Sequence, residues 1–223
     1  MPDERARAHI AYRDILRSMA AIARAHPELR RSAALGALGF GSFSVFWTTI
    51  AFRLSGAPFH YADSAIGLLG LVGAAGALCA SVAGRLADRG HAHIGRVGAA
   101  SAIGLAFAVL YVGRNSIVVV IIGVLVLDIG VQGLQVLNQS TIYELVSDAR
   151  SRITGVYMTT YFVGGALGSA GGSFAYEHGH WRSVCIVGVC MGCLAAGIAM
   201  PRPKPSTPVV VAPAPTTAPA AMM

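Results

Sequence analysis

The sequence predicts an all-α, polytopic membrane protein with six transmembrane helices. Three observations carry that expectation. Hydrophobic residues make up 55% of the 223 positions and charged residues 12%, where a soluble domain carries about 25% charged residues. The apolar residues gather into continuous runs near the length that spans a bilayer core, roughly 17–25 residues. Those runs do not alternate with a period of two, which argues against a transmembrane barrel.

The spans fall at residues 32–52, 65–83, 97–112, 117–137, 154–175 and 183–200. Glycine is frequent inside them, as suits helices that approach closely in lipid. Gly67, Gly70, Gly73 and Gly76 recur every three residues, and Gly164, Gly168 and Gly172 every four. Tight packing and a smooth sliding face are both compatible with such spacing.

Before the first span, residues 1–31 form a polar cytoplasmic segment, too charged for the apolar core of a signal peptide. Tyr12, Ile15, Leu16, Met19, Ile22 and Ala23 recur at helical spacing, with Arg13, Arg17 and Arg24 elsewhere on the wheel. This is an amphipathic helix for a membrane surface or a protein face, stopped by Pro27. Residues 32–200 are the six-helix transmembrane domain. Residues 201–223, rich in Pro, Ala, Thr and Val, read as a disordered cytoplasmic tail.

Basic residues set the expected orientation. Of the 17, only Arg53, Arg114 and Arg182 fall in the loops of one side, leaving 14 for the other. The positive-inside rule then puts both termini in the cytoplasm of a multi-pass protein of the cell (inner) membrane. The same asymmetry accounts for the net charge of +7. No basic stripe with interleaved aromatics suggests nucleic acid.

Candidate functional residues follow from polar groups inside spans. Asp128 is the ionisable residue nearest the middle of one. A carboxylate there is costly unless paired or hydrated, so it is a functional candidate by default. With Gln132, Gln135 and Gln139 it forms a stripe at offsets 0, 4, 7 and 11, within an arc of ~60° at 100° per residue. Such a face lines a watery path or hydrogen-bonds to neighbouring helices. Trp47 and Thr48, with Ser42, Ser44, Thr49 and Arg53, make the first span a second candidate wall. The bland alternative has the hydroxyls bonded to their own helix and Arg53 snorkelling outward. Tyr157 and Tyr161 are equally open between packing and function.

Other polar groups carry less. Cys190 and Cys193 sit two apart within an apolar run, without the flanking ligands a metal or redox site needs. His91/His93 and His178/His180 lack further ligands at suitable spacing, so no cofactor or metal is expected. An intramembrane serine protease would need Gly-x-Ser-Gly and a later His in a span. Gly168-Ser169-Ala170-Gly171 has the wrong order and the sixth span has no His.

One loop carries a resemblance. Gly84-x-x-x-Asp88-Arg89, between the second and third spans, resembles the loop signature of major facilitator superfamily transporters. It departs after six positions, where Gly90 comes one place early and His91-Ala92-His93 precede Arg96. The stretch from Asp128-Ile129-Gly130 through Asn138-Gln139 and Tyr143, then Ala149-Arg150 to Tyr157-Met158, resembles helices ten and eleven of bacterial efflux-type members. So does Gly164-Gly165-Ala166-Leu167-Gly168-Ser169. Tyr12–Leu16 with Pro27, Leu29 and Arg30 resembles the central loop before helix seven.

The resemblance covers roughly residues 12–200 and matches the C-terminal six-helix half. It implies transport of a small-molecule substrate, by proton-coupled efflux, and no enzymatic activity. It implies a second six-helix half, as a separate chain or a homodimer. The alternative is a transport-inactive remnant or an accessory membrane scaffold. Gly84, Asp88 and Arg89 would form a cytoplasmic latch loop, with the Asp88 carboxylate at a helix N-terminus and paired with Arg.

Overall fold

The computed structural model describes residues 12–77, 85, 89–145 and 150–200. The described residues are helical apart from turns and short connections. In order they form α1 (Tyr12–Ala25), α2 (Pro27–Ser55), α3 (Asp63–Ala77), α4 (Ala92–Val112), α5 (Ile117–Tyr143) and α6 (Arg150–Ala199). Helices α2, α4, α5 and α6 are long and apolar enough to cross a membrane, and α3 is a shorter apolar helix. A backbone in lipid has to satisfy its own N–H and C=O groups, which is why apolar runs of this kind resolve into helices.

Helix α2 begins at Pro27, where proline is tolerated because the first helical N–H has no partner anyway. On α1, Met19, Ile22 and Ala23 are half-buried while Arg17 and Arg24 are exposed. The Met19 methyl lies near Gly155 of α6, so this face of α1 rests on protein.

Helix α6 has 50 residues, about 75 Å at 1.5 Å per residue, far more than one bilayer crossing. It is broken at Gly179 (φ −146°, ψ 15°) and His180 (φ 52°, ψ −154°). Its two arms, residues 150–178 and 181–199, run in opposite directions. Gly164, Gly168 and Gly172 of the first arm face Ala37, Gly41 and Val45 of α2 in rising order. The second arm returns to the start of α2, where Arg31 Nε donates to the Ile198 carbonyl at 2.8 Å and Nη2 to that of Met200. The predicted fifth and sixth spans fall one on each arm.

The opposite end of the bundle is tied by Arg53. Its guanidinium donates to the Ala57 and Arg114 carbonyls and to Asn115 Oδ1, and stacks over Phe59 with 5.4 Å to the ring centroid. The connection after α2 is thereby joined to the one between α4 and α5. Snorkelling alone does not describe this residue, because its partners are carbonyls of two loops.

Packing is densest between α2 and α6, then between α4 and both α5 and α6. Lipid tails are as apolar as leucine, so the helices gain little from hiding apolar surface and depend on close van der Waals contact. Glycines supply it. Beyond the α2–α6 seam, Gly192 meets Gly104 of α4, Gly188 meets the Phe107 ring, and Gly130 meets the Ala99 carbonyl. A large core spans the bundle and includes Phe46, Phe107, Leu127, Leu134, Trp181 and Val184. A smaller one holds Leu29, Ala33, Ile142, Ile153, Tyr157 and Tyr161.

Candidate functional site

The centre of α5 presents its polar residues unevenly. Asp128 is buried, with 3% of its surface exposed, while Gln132, Gln135 and Gln139 are half-buried. Asp128 Oδ2 is buried without a hydrogen-bond partner, and so is Trp47 Nε1 on α2. The two side chains converge on α3. A Cβ added at Gly73 would lie 2.7 Å from Asp128 Oδ2 and 3.0 Å from Trp47 Cζ2. Glycine at that position leaves room for the carboxyl against the α3 backbone. Three helices therefore meet at one acid and one indole, which are hydrogen-bonding neighbours short of full hydrogen-bond geometry.

Trp47 is held by its neighbours on α2. Phe46 packs edge-on against it at 5.4 Å between centroids, and Phe43 lies at 5.9 Å. These contacts restrain the indole beside Asp128.

Further along α5 the polar face is bound into the protein. Tyr161 donates its hydroxyl to Gln135 Oε1 at 3.2 Å and stacks on Phe40 of α2 with centroids 4.3 Å apart. Gln135 thus joins α5 to the first arm of α6, the gluing role that was the alternative to cavity lining. Thr48 is placed apart from Asp128. Its hydroxyl shares a 2.9 Å hydrogen bond with Ser169 of α6, which puts it on the α2–α6 seam. Ser42 and Thr49 donate to the Leu38 and Val45 carbonyls of their own helix, at 2.8 and 2.7 Å.

Near the stripe, Asn138 is not a candidate lining residue from the sequence, and Tyr157 is there open between packing and function. Asn138 and Tyr157 are fully buried, and the Asn138 amide and Tyr157 hydroxyl are neighbours that fall short of full hydrogen-bond geometry. The ring of Tyr157 faces Gly36 of α2, where an added Cβ would fall 2.8 Å from its oxygen. Asn138 lies one position before Gln139, just off the stripe, and only its surroundings reveal the unspent polarity.

Of the expected latch loop, Gly84 and Asp88 lie outside the described residues. Arg89 is described and exposed, in a turn whose Gly90 has φ 75°, a left-handed conformation that favours glycine. Among the described residues no cluster of His, Cys, Asp and Glu is suited to a metal ion.

The Major Facilitator Superfamily model matches residues 32–221. "Uncharacterized transporter YgaY" of Escherichia coli O157:H7 is 43% identical over 188 residues, covering 84% of this chain and 48% of that protein. "Probable transporter SCO4007" of Streptomyces coelicolor is 30% identical over 168 residues, covering 74% of this chain and 39% of its own length. The chain thus spans about half the length of the curated relatives it matches. With a family match over most of its length and apolar helices of membrane-crossing size, the chain is a membrane protein belonging to the Major Facilitator Superfamily.

Proposed function

We propose that the chain is one six-helix half of a secondary transporter that moves a small molecule across the cell's inner membrane, with proton-coupled efflux as the reaction. The observation that carries this reading is Asp128, buried in a membrane-length helix with an unpartnered oxygen beside Trp47 and Gly73. A carboxyl at such depth whose polar neighbour is the Trp47 indole, short of full hydrogen-bond geometry, is suited to taking up and releasing a proton as the path around it opens and closes. Trp47 offers an aromatic face to a bound molecule, with its N–H beside Asp128, and Gln132 extends the polar surface one turn along α5. Gln139 continues it toward the cytoplasmic end, and Thr48 stands on the adjoining wall. Gln135 lies on the same face of α5 by its helical offset and is bonded to Tyr161.

Substrate would bind between this half and a second one. Both termini would lie in the cytoplasm. Gly84, Asp88 and Arg89 would form a latch at the cytoplasmic mouth.

The test uses vesicles holding the chain together with a second half. Asp128→Asn keeps the shape and removes the titratable proton, and is expected to abolish proton-linked transport of a fluorescent efflux substrate. Transport that continues unchanged in that variant removes Asp128 from the mechanism. Transport by proteoliposomes of the chain alone would favour the homodimer over the separate second chain.

A further inference from the structure

The start of α4 gathers positive charge with few partners. Arg96, the fifth residue of the helix, is 5% exposed. Its Nε and Nη1 are buried without hydrogen-bond partners, as is His93 Nε2. Side chains on a helix point back toward its N-terminus, so Arg96 lies over the first turn, which holds Ala92, His93 and Ile94. That turn has no acidic residue and His91 supplies no side-chain cap. The Gly95 N–H bonds the His91 carbonyl, leaving the amides of Ala92, His93 and Ile94 as the free donors of the helix start.

Arg31 and Glu28 of α2 lie close enough for their charges to act on both His93 and Arg96. Among the described residues Glu28 is the acid of this group, and it is engaged with Arg31 at 3.6 Å. Arg31 spends its other donors on the carbonyls that end α6. Arg96 is thus a cation in a mostly buried position whose acidic neighbour among the described residues, Glu28, is already shared, beside a helix N-terminus without a side-chain cap. Beside Arg31 a cavity of 290 Å³ is lined by Pro27, Arg30, Arg31, Ala34 and Ile198. It brings a further guanidinium to the same end of the bundle.

We propose that this corner binds an anionic phosphate group, held by the free amides at the start of α4, His93 and Arg96, with Arg30 and Arg31 supplying charge alongside. Backbone donors and the helix dipole make such a terminus receptive to phosphate. An arginine with two unspent donors completes the anion's coordination. The headgroup of an anionic phospholipid is the source this corner fits. Ile94, on the same turn, is 67% exposed and offers an acyl chain an apolar surface next to the charge. Basic pockets between membrane helices are a known way to hold such headgroups. The site is independent of Asp128 and of transport.

The experiment uses the full chain in nanodiscs of phosphatidylcholine, with or without phosphatidylglycerol, followed by thermal unfolding and by native mass spectrometry of retained lipid. The expected result is a higher unfolding temperature with phosphatidylglycerol and retained anionic lipid. Arg96→Gln should lower retention about fivefold, as loss of one basic contact near a membrane does. His93→Gln, a milder change that preserves the fold should Arg96→Gln not, should lower it in the same direction. Arg114→Gln at the far end of the bundle should leave it unchanged. Inorganic phosphate added to phosphatidylcholine discs separates the sources: stabilisation that Arg96→Gln removes would support the anion site with free phosphate as its occupant. Equal behaviour of wild type and both variants in the two lipids overturns the proposal. So does an Arg96→Gln loss of stability that is the same with and without anionic lipid, which would mark a protein carboxylate as Arg96's partner.

Discussion

Two glycine-rich faces of this molecule look alike in sequence and behave differently in space. On the first arm of α6, Gly164, Gly168 and Gly172 are each pressed against the backbone of α2. On α3, Gly67 and Gly70 have nothing within 4 Å, while Gly73 faces Asp128 and Trp47. The α6 face is a closed seam, and its glycines are required because no side chain fits. The α3 face is open along most of its length and touches polar chemistry at one point. Small residues at helical spacing therefore mark close approach only where another helix has a matching row. Here that row is Ala37, Gly41 and Val45, repeated with the same four-residue step.

The largest effect is expected from closing the seam. Gly168→Val would force side-chain carbon into the Gly41 backbone, where neither helix has a flexible group to move aside. A loss of about 3 kcal/mol is expected, read as a fall in unfolding temperature in detergent. Gly41→Val should lower it less, since a Cβ there first meets the flexible Met191 methyl at 2.8 Å and then the Gly164 carbonyl oxygen at 3.0 Å. Unfolding temperatures within a degree or two of wild type would break the comparison by showing that the seam yields.

Gly73→Ala addresses the point where the open face meets the site. The new methyl would sit 2.7 Å from Asp128 Oδ2, displacing a side-chain atom rather than backbone. The expected stability cost is about 1 kcal/mol. Proton-linked transport by the assembled protein should fall about tenfold, because a shifted acid or indole misplaces the path. A variant with full transport would show that Gly73 is spacing and nothing more.

Tyr161→Phe separates glue from path on α5. It deletes the donor to Gln135 while keeping the ring on Phe40. A membrane-buried hydrogen bond of this kind contributes about 0.6 kcal/mol, so a small drop in unfolding temperature is expected with transport retained. Loss of transport at unchanged stability would move Tyr161 from the packing of the bundle to the path.

How much was legible in advance depended on whether a property is local to one helix. Apolar runs dictate helices because the backbone has no other way to satisfy itself in lipid, so α2, α4 and α5 were visible from composition and length. Asp128 was equally visible, since an acid in the middle of such a run is conspicuous without any neighbour. What it faces was not. Trp47 is 81 positions away in sequence, and nothing in either helix fixes their relative rotation. Thr48 and Trp47 are adjacent, yet successive helical residues point about 100° apart; one reaches the seam and the other the acid. Arg53 looked like a snorkelling cation because its partners, the Arg114 carbonyl and Asn115, belong to a different loop. Arg96 looked like an ordinary positive-inside charge, and only its burial with unspent donors sets it apart.

The smallest effect is the most direct test of the contrast between the two faces. At Gly70, a Cβ would enter open space, so Gly70→Ala adds no clash. Alanine is also the better helix former, by up to about 1 kcal/mol. The chain alone should therefore unfold at the same temperature or slightly higher, while Gly168→Ala, one methyl larger at the seam, should unfold lower. The two substitutions add the same atoms to the same residue type in helices of similar composition, so intrinsic propensity cancels between them. Any difference in sign comes from what lies opposite. Should Gly70→Ala destabilise the chain as much as Gly168→Ala does, α3 must close against another helix of the same bundle, and the two faces would be seams alike.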